Sequence, residues 1–142
     1  MLQGTSRVGR AACIGVRAPS VDTPKRKYIL IVEDNPYLAD IFGKLIEHQG
    51  IRASQAESGN DALVKMEQEP PDLVLLDLGL PDMNGLELAT NVRRNEKTKS
   101  IPILVISATN EHKEDCLKKG CNDFFLKPFD FSKLFTRISD FL

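Results

Sequence analysis

The run Leu73–Asp77 constrains this chain most, because four large apolar residues end directly in a carboxylate. A run this apolar is typical of a strand that is buried on both faces of a parallel sheet. Desolvating an ionised Asp there costs several kcal/mol unless a cation or hydrogen bonds compensate. Residues 78–85 then carry two glycines, a proline and an Asn-Gly pair, which are typical of a loop. Because ligands of open α/β sheets bind outside the carboxyl ends of the strands, Asp77 is the candidate reactive residue.

Length and composition predict one soluble globular domain. The chain has 142 residues, of which 42% are hydrophobic and 27% are charged, and these values are ordinary for such a domain. No apolar run approaches the roughly 20 residues that span a bilayer, so no membrane role is expected. The net charge of −1 hides a division, because residues 1–27 hold six basic residues and one acidic residue. The remaining 115 residues hold 13 basic and 19 acidic ones, which argues against direct binding of nucleic acid by this part.

Residues 1–26 are predicted to be a disordered or linker-like basic extension. They mix Gly, Ser, Arg and Pro without a helical or alternating apolar pattern. A transit peptide and a misassigned start codon are the alternatives, whereas the roughly 7–15-residue apolar core of a secretory signal is missing. The three cysteines, Cys13, Cys116 and Cys121, are odd in number and form no CxxC pair. Free thiols in a reducing compartment are therefore expected, with the cytoplasm as the default location.

From residue 28 onward, short apolar runs alternate with segments of helical periodicity. Strands are predicted near residues 28–32, 51–56, 73–77, 103–106 and 123–126, and helices near residues 36–50, 58–69, 85–95, 111–119 and 129–141. The second strand is the weakest and is expected at an edge of the sheet. The fourth helix is markedly polar, and only Cys116 and Leu117 in it suit burial. Five successive strand-helix units predict an α/β fold, a parallel sheet with helices on both faces.

Polar residues stand at the carboxyl ends of four of these strands. If the strands are parallel, Glu33, Asp34, Asp77, Ser107 and Lys127 lie at one edge of the sheet. Three converging carboxylates repel one another and raise their pKa values unless a cation lies among them. Oxygen ligands with positions left open for water and phosphate favour Mg²⁺ over zinc. A carboxylate nucleophile, a metal, a hydroxyl and an ammonium together indicate phosphoryl transfer onto Asp77.

The same positions carry a resemblance to a known family. The matching segments are Ile31–Asn35, Asp77–Gly85, Val105–Ala108 and Lys127–Phe129, and each lies at the end of a predicted strand. Residues 27–142 thus resemble the receiver domain of two-component response regulators, of the stand-alone single-domain type. The resemblance implies a flavodoxin-like, doubly wound sheet of five parallel strands in the order 2-1-3-4-5, with five helices on two faces.

The resemblance also implies how the acidic residues act. Asp77 would accept a phosphoryl group from a histidine kinase or a phosphotransfer protein, with Mg²⁺ as the cofactor. Asp34, Asp77 and the backbone carbonyl of Gly79 would ligate the Mg²⁺ ion, and Glu33 would act through a water molecule.

The resemblance also implies which residues contact the phosphoryl group and which change position after phosphorylation. Ser107 and Lys127 would contact the phosphoryl oxygens, and the peptide bond between Lys127 and Pro128 is expected to be cis. Ser107 would also move toward the phosphoryl group, while Phe124 turns inward at a position where a tyrosine would carry a hydroxyl. The signal would then reach a downstream protein through the face formed by the fourth helix, the fifth strand and the fifth helix.

Three function classes follow from these residues. The preferred one is a phosphorylation-activated signalling switch that is not an enzyme and has no output domain of its own. The second is an aspartyl-phosphate phosphatase, but haloacid-dehalogenase-type enzymes need a second Asp where this chain has Gly79. The third is a receiver-like docking module that is not phosphorylated. His48 and His112 have no metal-ligand partner at i+3 or i+4 and are interpreted as solvated helix residues.

Overall fold

A computed structural model of the chain describes residues 26–142, along which five strands alternate with five helices. The strands are β1 Tyr28–Val32, β2 Arg52–Ala56, β3 Leu73–Asp77, β4 Ile103–Ser107 and β5 Asp123–Leu126. The helices are α1 Pro36–His48, α2 Gly59–Gln68, α3 Gly85–Arg94, α4 Lys113–Lys118 and α5 Phe131–Phe141. Among the described residues, no helix has both the length and the apolar character needed to cross a bilayer. The predicted extension lies outside the described residues, except for Arg26.

The five strands are parallel and form one sheet in the order β2-β1-β3-β4-β5. This order confirms the predicted flavodoxin-like topology. β3 lies in the middle of the sheet, and the weak second strand lies at an edge, as its sequence predicted. Because all strands point the same way, the carboxyl ends of β1, β3, β4 and β5 meet at one edge of the sheet.

Both faces of the sheet are buried at β1, β3 and β4, because successive side chains of each strand point to opposite apolar layers. One layer joins residues such as Leu30 and Val74 to α2, α3 and α4. The other layer joins residues such as Ile31 and Leu75 to α1 and α5. On β5, Phe124 belongs to the first layer and Phe125 packs against the second. Burial on both faces explains why β1, β3 and β4 are almost continuously apolar. The edge strand β2 is only partly buried and contains polar residues.

The helix α4 differs most from its prediction. The pattern predicted a helix over residues 111–119, whereas α4 has six residues and begins after His112, whose side chain forms no capping hydrogen bond. Gly120 follows the helix with φ of 96°, a left-handed conformation that favours glycine. Cys116 is fully buried, but Leu117 is 46% exposed, so the expected burial of Leu117 was wrong. Neighbouring helical side chains point about 100° apart, and so short a helix buries only one face.

The described cysteines, Cys116 and Cys121, are free thiols, as their number predicted. Both lie in the apolar layer that also contains Phe124. Burial raises the pKa of the Cys121 thiol to about 12, so this thiol stays protonated and unreactive at neutral pH.

Candidate functional site

Three carboxylates meet at the carboxyl ends of β1 and β3. Glu33 and Asp34 directly follow β1, and Asp77 is the last residue of β3. Each carboxylate offers one oxygen, and these oxygens all lie within 4.8 Å of one another. Glu33 is buried, Asp77 is half-buried and Asp34 is exposed. The direct pairing of β1 with β3 brings the three groups together, and the cluster opens to solvent at Asp34.

The carboxyl groups of Glu33 and Asp77 change each other's pKa. Burial, a hydrogen bond to Asp77 and the negative charge of Asp77 raise the pKa of Glu33 to about 7. Burial also opposes ionisation of Asp77, but hydrogen bonds from Glu33, the Gly79 N–H and Lys127 hold the pKa of Asp77 below its usual value. Below about pH 7 Glu33 is therefore protonated and donates to the ionised Asp77.

This donor set fits a magnesium ion. The carboxylates supply the oxygen ligands that Mg²⁺ prefers, and a cation among them would replace the proton that Glu33 otherwise holds. Gly79 lies in the turn after Asp77 and donates its N–H to Asp77 Oδ1 at 2.9 Å. Its carbonyl belongs to the same turn and stays a predicted ligand. In the part of the chain that the structure describes, Glu33, Asp34 and Asp77 form the only such group of potential metal-ligating side chains.

Lys127 brings a positive charge to this edge of the sheet from the end of β5. Its Nζ lies 3.1 Å from Asp77 Oδ2 and 3.6 Å from Glu33 Oε1. The Lys127 N–H donates to the Ser107 carbonyl at 2.7 Å, so the backbone of Lys127 is held beside the end of β4. The peptide bond between Lys127 and Pro128 is cis, as predicted.

Ser107 ends β4 and lies beside Asp77 in an open cleft. Its Oγ accepts the Thr109 N–H at 3.2 Å, which leaves the hydroxyl hydrogen available for donation. The cleft has a volume of about 330 Å³. It is lined by Asp77, Leu78, Gly79, Asn84, Ser107, Ala108, His112 and Lys127.

His112 is a cleft residue that the sequence pattern missed. The pattern predicted a solvated helix residue, yet His112 is half-buried, precedes α4 and lines the cleft with Asp77 and Lys127. Its position five residues after Ser107 was the one available signal, since loops that follow strand ends border the crevice. His48, by contrast, is exposed in the last turn of α1, as expected.

Phe124 lies in the core rather than at the cleft. Its side chain is 8% exposed and belongs to the layer that contains Cys116 and Cys121. The residues that line the cleft include Ser107 but not Phe124. A phenyl ring lacks the hydroxyl of tyrosine, so its burial leaves no polar group without a partner. The switch role of Ser107 with Phe124 stays a prediction.

Residues 78–84, here called the site loop, connect β3 to α3 across one side of the cleft. Asn84 caps α3 by accepting the Leu86 N–H at 2.8 Å. A Cβ on Gly85 would lie 2.7–2.8 Å from atoms of Leu78, so only glycine fits there. The Gly85 N–H also donates to the Leu78 carbonyl at 3.3 Å, which closes the loop.

Known proteins share this sequence pattern. The sequence model of the family described as the response regulator receiver domain matches residues 29–139. The response regulator ArlR of Staphylococcus saprophyticus is 38% identical over 112 residues, which cover 78% of this chain and 50% of ArlR. This chain spans about half the length of the curated relatives it matches.

Solved structures share the fold. The response regulator protein TrrA of Thermotoga maritima, in complex with Mg²⁺ and BeF, has a TM-score of 0.75 at 29% identity and covers 82% of this chain and 99% of TrrA. The receiver domain of the sensor histidine kinase PA1611 of Pseudomonas aeruginosa has a magnesium ion coordinated in its active-site cleft. Its TM-score is 0.76 at 28% identity, over 82% of this chain and 98% of that domain. The family match, the strand order and the residues at the strand ends agree, and the chain belongs to the response regulator receiver domains of two-component systems.

Proposed function

We propose that residues 27–142 act as a phosphorylation-activated signalling switch with Asp77 as the phosphoacceptor. The observation that carries this proposal is the 3.1 Å approach of Lys127 Nζ to Asp77, beside two further carboxylates. Receiver domains act mainly as signalling switches and interact with histidine kinases. The phosphoryl donor of this chain is then a histidine kinase or a phosphotransfer protein.

Asp77 acts as the nucleophile in this proposal. Its low pKa keeps it ionised, so one of its oxygens can form a bond to phosphorus. The phosphorus–nitrogen bond of a phosphohistidine donor breaks, and its electron pair stays on the imidazole nitrogen. The product is an aspartyl phosphate, and no proton has to leave Asp77.

The other site residues position and neutralise charge. Mg²⁺, when bound by Asp34, Asp77 and the Gly79 carbonyl, with Glu33 acting through water, supplies positive charge against the phosphoryl oxygens. Lys127 holds its ammonium next to the acceptor carboxylate and stabilises charge on the transferred group. The Ser107 hydroxyl can donate to a phosphoryl oxygen across the cleft.

The signal leaves through the surface of the receiver itself. The face formed by α4, β5 and α5 exposes Leu117 and Leu126, at 46% and 39%. Ser107 and Lys127 stand at the ends of β4 and β5 and connect the cleft to this face. The acidic balance of residues 28–142 favours a downstream protein rather than nucleic acid as its occupant.

The structure gives less support to the two other function classes. A Cβ on Gly79 would lie 3.7 Å from Asp77 Oδ1, so a carboxylate at position 79 could reach the nucleophile, and this chain has none there. That difference counts against an aspartyl-phosphate phosphatase. An unphosphorylated docking module would have no need for Glu33, Asp34 and Lys127 to converge on Asp77.

Residues 27–142 are also proposed to fold as a unit without the basic extension. The family match begins at residue 29, just inside this boundary. Deletion of residues 1–25 should leave the melting temperature and the phosphorylation of Asp77 nearly unchanged, and a large loss of melting temperature would place the extension within the folded domain.

The decisive experiment is incubation with acetyl phosphate and Mg²⁺, followed by intact mass measurement. One stoichiometric phosphoryl adduct supports the switch, excess phosphate release indicates a phosphatase, and no change indicates the docking module. Asp77→Asn keeps the side-chain shape but removes the nucleophile, so the adduct should vanish while the fold persists. Asp40→Asn is the control, because Asp40 is an exposed carboxylate paired with Lys44 on α1, and its adduct should form at the wild-type rate.

A further inference from the structure

Asp82, within the site loop, links this loop to the start of α2. Its Oδ1 accepts the Gly59 N–H at 2.8 Å, and its Oδ2 accepts the Asn60 N–H at 2.9 Å. Both amides belong to the first turn of α2, where backbone N–H groups have no partner within the helix. Ser58 caps the helix through a different amide, since its Oγ accepts the Asp61 N–H at 3.1 Å. Asp82 therefore completes the first turn of a helix that precedes it in the chain.

Met83 adds an apolar contact at the same junction. A Cβ on Gly59 would lie 2.4 Å from Met83 Cγ and 2.5 Å from its Sδ, so this side chain lies directly against the glycine backbone. The charge of Asp82 lies at the positive end of the α2 dipole, and the hydrogen bonds from Asn60 and Gly59 lower the pKa of Asp82. Two adjacent residues therefore hold the site loop on α2 by independent contacts.

We propose that Asp82 is a positioning residue for phosphoryl transfer, because it holds the site loop against α2 and thereby fixes the turn between Gly79 and Asp77. This inference rests on the proposed function, since it concerns the metal-dependent phosphorylation of Asp77. Gly79 lies three residues before Asp82 and donates its N–H to Asp77 Oδ1 at 2.9 Å. Gly79 has no side chain of its own to anchor it. Its carbonyl, the predicted metal ligand, depends for its orientation on β3 at one end of the turn and on Asp82 at the other.

The test compares two variants that both weaken the start of α2. Asp82→Ala removes the connection between the site loop and the helix, whereas Ser58→Ala removes a cap and leaves that connection intact. Asp82→Ala should weaken Mg²⁺ binding by about three- to tenfold, because groups that orient metal ligands commonly contribute that much or more. Ser58→Ala should lower the melting temperature but leave the Mg²⁺ affinity unchanged. Titration of each protein with Mg²⁺, followed by amide chemical shifts, measures this affinity.

Three further measurements separate a positional effect from a charge effect. Gly59→Ala keeps the charge of Asp82 but displaces Met83, and it should also weaken Mg²⁺ binding. In 1 M salt, where the Debye length is about 3 Å, the loss in Asp82→Ala should persist. In the metal-free protein, hydrogen exchange at the Gly79 amide should become faster in Asp82→Ala and stay unchanged in Ser58→Ala.

Wild-type Mg²⁺ affinity in both Asp82→Ala and Gly59→Ala, with unchanged exchange at Gly79, would overturn the proposal. If Asp82→Ala does not fold, Asp82→Asn replaces it, and a smaller loss is expected because one acceptor oxygen remains. A failure of the proposed function has a different signature, since the wild-type protein would then gain no phosphoryl group from acetyl phosphate. The exchange rate of Gly79 still tests the loop contact in that case.

Discussion

Lys127 Nζ lies 3.1 Å from Asp77 Oδ2, although the two residues are 50 positions apart in the chain. The strands that carry them are not neighbours, because β4 lies between β3 and β5. Lys127 therefore extends past the end of β4, where Ser107 lies, to contact Asp77. This contact places a positive charge beside the carboxylate that we propose as the phosphoacceptor.

Lys127→Met should slow the phosphorylation of Asp77 by acetyl phosphate by about tenfold or more, because a charge that stabilises the transferred group is lost. The change also removes a hydrogen bond that lowers the pKa of Asp77. Rates follow from intact mass measured over time. Lys133→Met is the control, since Lys133 is exposed on α5 and should not affect the rate. Equal rates for Lys127→Met and wild type would contradict the role of Lys127.

The free energy of unfolding of the metal-free protein should decrease as the pH rises from about 5 to about 7. The pKa of Glu33 is raised from 4.5 to about 7 in the folded protein, so the folded state holds a proton there that the unfolded state has lost. This stabilisation is complete below pH 4.5 and is lost as the pH rises through 7. Its size should be about 1–3 kcal/mol. The lowered pKa of Asp77 makes the free energy of unfolding increase with pH, but only near and below pH 3.8, the ordinary pKa of Asp.

Urea denaturation in the presence of a chelator, repeated across this pH range, measures how the free energy of unfolding depends on pH. Glu33→Gln should flatten it, because an amide cannot ionise but can still donate a hydrogen bond to Asp77. Glu47→Gln, at an exposed position on α1, should leave it unchanged. Mg²⁺ affinity should rise over the same range, since a cation in the cluster is favoured by the negative charge of ionised Glu33. A slope that persists in Glu33→Gln would assign the effect to another group.

Arg93→Ala should lower the free energy of unfolding by about 2–3 kcal/mol, because partly buried carbonyls would lose a charged donor. The Arg93 guanidinium donates to the Gly120 carbonyl at 2.8 and 3.0 Å and to the Ile101 carbonyl at 2.6 Å. It thereby joins α3 to the turn that follows α4. Arg94→Ala is a matched control on the same helix, since Arg94 is exposed and should cost little. Similar losses in the two variants, measured by urea denaturation, would contradict this role.

Phosphorylation should change the hydrogen exchange of residues 109–119. α4 is short and lacks a side-chain cap at its start, so its local stability should be low. Movement of Ser107 toward the phosphoryl group would reach this segment first. Exchange measured with and without acetyl phosphate, with Asp77→Asn treated identically, tests the route. If the protection of residues 109–119 is unchanged while the protection of another face changes, the docking surface lies on that other face.

The sequence alone determined the elements and the edge at which the site forms. The strands Tyr28–Val32, Leu73–Asp77 and Ile103–Ser107 are compact apolar runs between turn signals, so their positions depend on local composition. Parallel strands then place Asp77, Ser107 and Lys127 at one edge without any knowledge of distances. The motifs at the strand ends predicted the receiver-domain family, and the family match confirms this prediction.

How these groups act on one another depends on contacts that form only in the folded chain. The pKa of Glu33 rises because its carboxyl is buried beside Asp77, and neither burial nor separation can be read from spacing. His112 enters the cleft because α4 begins later than its periodicity predicted. Asp82 binds amides that lie 22 and 23 positions earlier in the chain, which no local pattern encodes. These features depend on contacts between distant segments, and such contacts exist only once the sheet has brought its strand ends together.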